Sequence, residues 1–367
     1  MKQINILVVA GARPNFMKVA PIMKAAAEQN ARNRNGEPTF NARLLHTGQH
    51  YDEAMSNVFF RELGIRPPDI NLGVGSGSHA VQTAKIMTGF ETVCEQEKPD
   101  WVVVVGDVNS TMACTLVCSK MGIRVAHVEA GLRSFDRTMP EEINRIVTDS
   151  LADLLLTPSP DADENLKREG VPETKIKLVG NVMIDTLIAN LGQARQSSVL
   201  QKHGLARGGF VYVTLHRPSN VDHQGSLGAI LAQLKQLARQ FPVLFPMHPR
   251  TRKMCAQFGI ALDQDAGLKV LDPIGYHDSI CLTENARLVV TDSGGLQEES
   301  TFFRTPCLTL RPNTERPITI SLGSNRLTSV ERLAADIAAV LRCEPRFGQI
   351  PPLWDGNAAT RVIQALL

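Results

Sequence analysis

The sequence predicts an α/β protein made of two doubly wound halves facing a central cleft. Three observations carry this expectation. Short β-branched runs alternate with longer helical patterns along the whole chain, as βαβ units and parallel sheets require. Val102-Val103-Val104-Val105 is a continuous apolar run, which fits a strand covered on both faces. The alternation restarts beyond residue 209, and 367 residues are more than one hydrophobic core ordinarily serves.

In the first half the expected strands are Ile4–Val9, Ala42–His46, Trp101–Val105, Arg124–Val128, Leu154–Thr157 and Lys175–Val179. The second half supplies Phe210–Leu215, Val243–Met247, Leu268–Leu271, Arg287–Thr291 and Cys307–Leu310. Gly180-Asn181 closes a strand before a helix around Met183–Leu191, so the expected domains are 1–180 and 181–355. A final helix within 356–367 is expected to join the first domain. On the helix after Pro140, Ile143, Ile146 and Val147 form the expected buried stripe, with Glu141 and Arg145 sharing the opposite face.

Composition narrows the function classes. A net charge of +2, with no block of Lys and Arg and only 5% aromatic residues, argues against a nucleic-acid partner. The seven cysteines (94, 114, 118, 255, 281, 307 and 343) lack paired spacing, and no CxxC or HExxH occurs, so no metal is expected. Reduced, buried thiols fit a cytoplasmic protein. Ile4–Ala10 runs straight into Gly11-Ala12-Arg13-Pro14 without a small-residue cleavage pattern, and reads as a first core strand rather than a signal segment. No apolar run approaches the length of a membrane span.

Chemistry-bearing residues gather where strands end. Asp107 follows Val102–Val105 and Gly106, and Glu129 follows Val125–Val128. If those strands are neighbours, both carboxylates emerge on one sheet edge, where ligands sit in doubly wound folds, and crowding lets one act as acid while another is base. The structural alternative is that Asp107 caps a helix starting near Ser110 while Glu129 pairs with Arg133. For Glu141 and Arg145 the alternative is a solvated i,i+4 ion pair. Arg13 and Lys18 place positive charge at the first strand–helix junction.

In the second half, Leu288–Asp292 is followed by the turn Ser293-Gly294-Gly295 and a helix. That order offers free backbone N–H groups and a helix dipole to an anion. Glu299, one turn into the helix, suits ribose hydroxyls, and Arg316 suits phosphate. His216 and His248 each end a strand beside an arginine, which favours a phosphate-facing role over a structural one.

Taken in order, these segments resemble the non-hydrolysing UDP-N-acetylglucosamine 2-epimerases. The resemblance runs through Gly11-Ala12-Arg13-Pro14…Lys18, Thr47-Gly48-Gln49-His50, Gly106-Asp107, His127-Val128-Glu129-Ala130-Gly131-Leu132-Arg133 and Pro140-Glu141-Glu142-Ile143-Asn144-Arg145. It continues through Gly180-Asn181, His216-Arg217, His248, Asp292–Glu299 and Glu315-Arg316-Pro317. It implies a glycosyltransferase-B type fold, a UDP-sugar held between the domains, no redox cofactor and a homodimer. It also implies inversion at C2 by elimination and re-addition of UDP through a 2-acetamidoglucal, for surface polysaccharide precursors.

Carried onto this sequence, Asp107, Glu129 and Glu141 look like the acid–base set. His216, Arg13, Lys18 and Arg145 would assist the departing diphosphate and the sugar, and Ser293, Gly294, Gly295, Glu299 and Arg316 would hold phosphate and ribose. Two segments depart from the pattern. Gln49-His50-Tyr51-Asp52 lacks the arginine that follows Gln-His in members with an activating UDP-sugar site, and Pro273-Ile274-Gly275-Tyr276 differs around the uracil pocket. Related branches act on UDP-2,3-diacetamido uronic acids, and a hydrolysing relative or a non-catalytic UDP-sugar-binding protein are the other readings of the same fold.

Overall fold

The computed structural model describes residues 3–32, 40–48, 66–262, 267–342 and 346–367, with Arg13 and Pro14 described by backbone alone. Gln49, His50, Tyr51 and Asp52 lie outside the described residues. Two compact units emerge: Met1–Ile188 with Pro352–Leu367, and Ala189–Pro351. Among the described residues no helix is long and apolar enough to cross a membrane.

The first unit holds a parallel sheet of β1 (Ile4–Ala10), β2 (Phe40–His46), β3 (Ile70–Asn71), β4 (Trp101–Val105), β5 (Arg124–Val128), β6 (Leu154–Thr157) and β7 (Ile176–Leu178). Its order is β3-β2-β1-β4-β5-β6-β7, so the chain reverses its direction of travel between β1 and β4. Alternate residues of these strands feed two separate cores. Ile6, Val8, Val103 and Val105 pack with the helix Arg13–Arg32, while Leu7, Val9, Val102 and Val104 pack with the helices His79–Glu97 and Asn109–Met121. This is the physical reason for the unbroken valine run.

The C-terminal helix Ala358–Ala365 buries Ala358, Ala359, Val362 and Ile363 in the core that the helix Arg13–Arg32 shares. Each of the two larger side chains contributes roughly 1.5–3 kcal/mol by leaving water. Asp185 fixes the helix start by accepting from the N–H groups of Ala358 and Ala359 at 3.1 and 2.7 Å.

The second unit repeats the plan with β8 (Val211–Thr214), β9 (Val243–Pro246), β10 (Leu268–Leu271), β11 (Leu288–Thr291), β12 (Cys307–Leu310) and β13 (Asn325–Thr328), in the order β10-β9-β8-β11-β12-β13. All its pairings are parallel, and its switch of direction lies between β8 and β11. Every expected strand is present. Among the described residues two more exist, β3 and β13, and both are sheet edges.

The helix Pro140–Leu151 corrects the expectation made for it. Its buried residues are Glu142, Asn144, Arg145, Thr148 and Asp149, while Ile143, Ile146 and Val147 are only half-buried. A polar face can turn inward here because each buried charge meets an ion-pair or hydrogen-bond partner, which offsets the cost of desolvation.

Candidate active site

In the first unit the switch point between β1 and β4 is built by short polar clamps. Asn15 accepts from the N–H groups of Gly11 and Ala12 at 3.1 and 2.9 Å, and donates to the Val105 carbonyl at 3.3 Å. It thereby ties the turn after β1 to the end of β4. Gly106 adopts φ of +68°, and a Cβ there would lie 2.8 Å from Lys18 Nζ. Glycine spares this turn both the strain of a left-handed backbone and a clash with the lysine beside it.

Lys18 Nζ donates to Glu129 Oε2 at 2.6 Å, and both groups are buried. Glu129 itself sits at φ of +70°, a conformation that costs a non-glycine residue of order 1–3 kcal/mol. Next to it, Asp107 is half-buried and takes Arg145 Nη2 at 2.6 Å and Nε at 3.1 Å. Asn144 holds the Asp107 carbonyl at 2.8 Å. Two carboxylates on adjacent strand ends, each against a cation, are therefore brought together.

Neither structural alternative holds. The helix Asn109–Met121 has Val108 at its N-cap with no side-chain cap, so Asp107 does not cap it. Arg133 goes to Asp149 and Glu169 rather than to Glu129. Arg145 pairs with Glu142 as well as Asp107, three residues back rather than four. Glu142 also accepts from the N–H groups of Ser134 and Phe135, each at 2.9 Å, and so holds the loop after β5. Glu141 stands exposed in the first turn and forms no ion pair among the described residues. The side chain of Arg13 lies outside the described residues, although its backbone opens the first helix.

The second unit organises its switch point around Asp292, fully buried after β11. Its carboxylate accepts from the N–H groups of His216 and Arg217 at 3.0 and 2.9 Å, from Asn220 at 3.1 Å and from His216 Nδ1 at 2.9 Å. Burial pushes the Asp292 carboxyl up, but these donors outweigh it and hold the group below the ordinary carboxylate range. His216 therefore presents Nε2 outward. His248 lies with its ring 5.5 Å from that of His216 and accepts from Arg250 N–H at 3.2 Å through Nδ1. Partial desolvation, then the neighbouring His216, lower its pKa.

Ser293 is the N-cap of the helix Gly294–Phe303 but makes no side-chain cap. A Cβ on Gly294 would lie 3.0 Å from Arg316 Nη1, so the guanidinium rests on this turn. Arg316 is buried and donates from Nε to Glu298 at 2.6 Å and from Nη1 to Glu315 at 2.5 Å. Glu299 is buried one turn along. Desolvation, then the charge of Glu298, push its carboxyl up to about 8, and the Tyr276 hydroxyl partly offsets the rise.

A family model described as UDP-N-acetylglucosamine 2-epimerase matches residues 32–367. The chain belongs to the UDP-N-acetylglucosamine 2-epimerase family. It is an isomerase of that family, in agreement with the motifs read from the sequence. The UDP-N-acetylglucosamine 2-epimerase of Methanocaldococcus jannaschii is 38% identical over 372 residues, covering 99% of each chain. The UDP-2,3-diacetamido-2,3-dideoxy-D-glucuronate 2-epimerase of Pseudomonas aeruginosa is 41% identical over 333 residues, covering 90% of this chain and 89% of the relative.

Among solved structures, the M. jannaschii UDP-GlcNAc 2-epimerase in complex with UDP-GlcNAc and UDP matches at a TM-score of 0.88 and 38% identity, covering 99% of both chains. The Neisseria meningitidis UDP-GlcNAc 2-epimerase bound to UDP-GlcNAc matches at 0.86 and 26%, again over 99% of both. The two parallel, doubly wound sheets are thus the Rossmann-like domains of a glycosyltransferase-B type epimerase.

Reasoning from sequence missed Asp292 in the cluster of the second unit, and Glu142, His127 and Asp149 in that of the first. Asp292 had a signal, since it ends a strand as Asp107 does. For the other three the informative partner lies on a separate strand or loop.

Proposed function

We propose that this protein reversibly inverts C2 of UDP-N-acetylglucosamine to give UDP-N-acetylmannosamine. The observation that carries the reading is the pair Asp107–Arg145 and Glu129–Lys18 on the ends of neighbouring strands in a chain of this family. The C2 proton is not next to a carbonyl, so a base alone removes it poorly. Breaking the C1–O bond to UDP places positive charge on the ring and acidifies that proton. One carboxylate takes the C2 proton as UDP departs with the C1–O electron pair, leaving a C1=C2 glucal. Return of a proton to the opposite face of C2, with attack of the diphosphate oxygen on C1, completes inversion.

Asp107 and Glu129 are the first candidates for the two faces, and Glu141, exposed on the following helix, is the third. Lys18, Arg13, Arg145 and His216 stabilise the departing diphosphate and hold the sugar. Ser293, Gly294, Gly295, His248 and Arg316 take the diphosphate, and Glu299 takes the ribose. The protein acts as a homodimer in the cytoplasm and its product supplies surface polysaccharide synthesis.

Proton NMR of UDP-N-acetylglucosamine with the protein in D2O tests the reading. The expected result is a UDP-N-acetylmannosamine signal with deuterium at C2 of both sugars. Free UDP with N-acetylmannosamine would instead mark a hydrolysing enzyme. The relative of P. aeruginosa favours a second reading, in which the sugar is a 2,3-diacetamido uronic acid. Turnover of that UDP-sugar alone would select it.

A pH dependence follows from Glu299. Two ribose hydroxyls donate best to a carboxylate, and below about 8 this group carries a proton. UDP-sugar affinity should therefore rise as pH increases from neutral through that value, with proton release on binding near pH 7. Calorimetry in buffers of different ionisation enthalpy reads this directly. A flat affinity across that range, or one unchanged in Glu299→Gln, would remove Glu299 from the ribose site.

A further inference from the structure

His127 lies on β5, fully buried, and has no part in the chemistry proposed above. Its ring spans two acceptors. Nε2 is 2.8 Å from the Gly106 carbonyl, and Nδ1 is 2.6 Å from Asp149 Oδ1. A carbonyl only accepts, so Nε2 donates. At the other end Nδ1 meets Asp149: burial raises this carboxyl, but His127 and Arg133 outweigh that and hold it below the usual carboxylate range.

The Gly106 carbonyl belongs to the peptide bond from which Asp107 departs. The N–H of Gly106 is held as well, by the Val128 carbonyl at 3.0 Å. Both ends of Gly106 are thus tied to β5, the strand that continues into Glu129. At the far end of the ring, Asp149 also accepts Arg133 Nη1 at 2.7 Å and Gly131 N–H at 3.0 Å. Arg133 is in turn gripped by Glu169 at 2.8 and 2.7 Å. Asp149 shares a helix with Arg145, one turn away, and Arg145 holds the Asp107 carboxylate. A closed frame results: Gly106, His127, Asp149, the helix Pro140–Leu151, Arg145, Asp107.

We propose that His127 is a positioning residue that sets the spacing of Asp107 and Glu129, by bracing the Gly106 peptide from the strand that carries Glu129. Histidine suits the place because its flat, rigid ring joins the Gly106 carbonyl at one end to Asp149 at the other. Glutamine donates at one end only, and phenylalanine at neither. The inference rests on the epimerase reading, since the spacing matters only if the two carboxylates serve one carbon.

The test is His127→Phe, which keeps a flat aromatic ring but donates nothing. The expected protein is folded by circular dichroism, binds UDP within about twofold of wild type, and loses kcat by about 100-fold at nearly unchanged KM, as for a misplaced acid–base pair. C2 deuterium exchange should fall less than inversion, because one carboxylate still reaches C2 while the other no longer returns the proton. His127→Gln, whose amide reaches the same carbonyl, should recover about tenfold of the loss.

A His127→Phe enzyme with kcat within about threefold of wild type overturns the proposal. So does one that loses exchange, inversion and UDP binding in step, which is what general damage to the fold would produce. Should that variant fail to fold, Asp149→Asn decides. It leaves the ring's bond to Gly106 and loosens its anchor, so a raised ratio of exchange to inversion supports the brace and a wild-type ratio rejects it. Wild-type protein that neither inverts nor exchanges C2 would sink the epimerase reading and the brace together. Normal wild-type turnover with an unaffected His127→Phe sinks the brace alone.

Discussion

Glu129→Gln is expected to lower epimerisation by about 1,000-fold while leaving UDP affinity within about twofold. The replacement is isosteric. Lys18 Nζ, 2.6 Å from Oε2, keeps an oxygen acceptor in the amide, and the backbone at φ of +70° is unchanged. What disappears is the capacity to take or give a proton. UDP affinity is spared because the replacement removes no cation: Lys18, Arg13, Arg145 and His216, assigned above to the diphosphate, all remain. Asp107→Asn should act in the same direction, with Arg145 still held by Glu142. Both effects are read from the initial rate by NMR and from titration calorimetry with UDP. A Glu129→Gln enzyme that keeps close to full turnover would place the acid–base work elsewhere, with Glu141 the next residue to test.

Much of this arrangement was legible in the chain, because a strand buried on both faces announces itself by an unbroken apolar run. Val102–Val105 and Leu288–Val290 are of this kind, and both lie central in their sheets. The strands that escaped notice, Ile70–Asn71 and Asn325–Thr328, are edges. One is two residues long, and the other carries polar side chains, so neither needs the apolar signature of a covered strand. The carboxyl-edge placement of Asp107, Glu129, His216 and Ser293 could be read because each stands within two residues of the end of an expected strand.

The partners of those residues were harder to see. On the helix Pro140–Leu151 the three apolar residues suggested the buried face, yet the polar face is the buried one. Hydrophobic periodicity assumes that burial is driven by leaving water. Here inward burial is set by ion pairs whose other halves, Asp107, His127 and Arg133, lie on other elements. Sequence spacing reveals pairs within a helix but not those formed across a sheet edge.

Arg316→Ala is the other substitution expected to have a large effect, and it should act twice. Loss of a buried charge-assisted contact to the diphosphate should weaken UDP binding by about 100-fold. Glu298 and Glu315, both buried, would also lose a cation, at a cost of about 3–5 kcal/mol in stability. A lower melting temperature therefore accompanies weaker binding and does not by itself assign the phosphate role. Gly294→Ala separates the two. Its new methyl would lie 3.0 Å from Arg316 Nη1 and 3.3 Å from Glu315 Oε1, so the guanidinium must shift while every charge remains. If Arg316 meets the diphosphate across this turn, Gly294→Ala loses UDP affinity with only a small fall in melting temperature. If UDP binds Gly294→Ala as tightly as wild type, Arg316 is a clamp between Glu298 and Glu315, and the diphosphate is held by the first-turn N–H groups of the helix Gly294–Phe303 with His216.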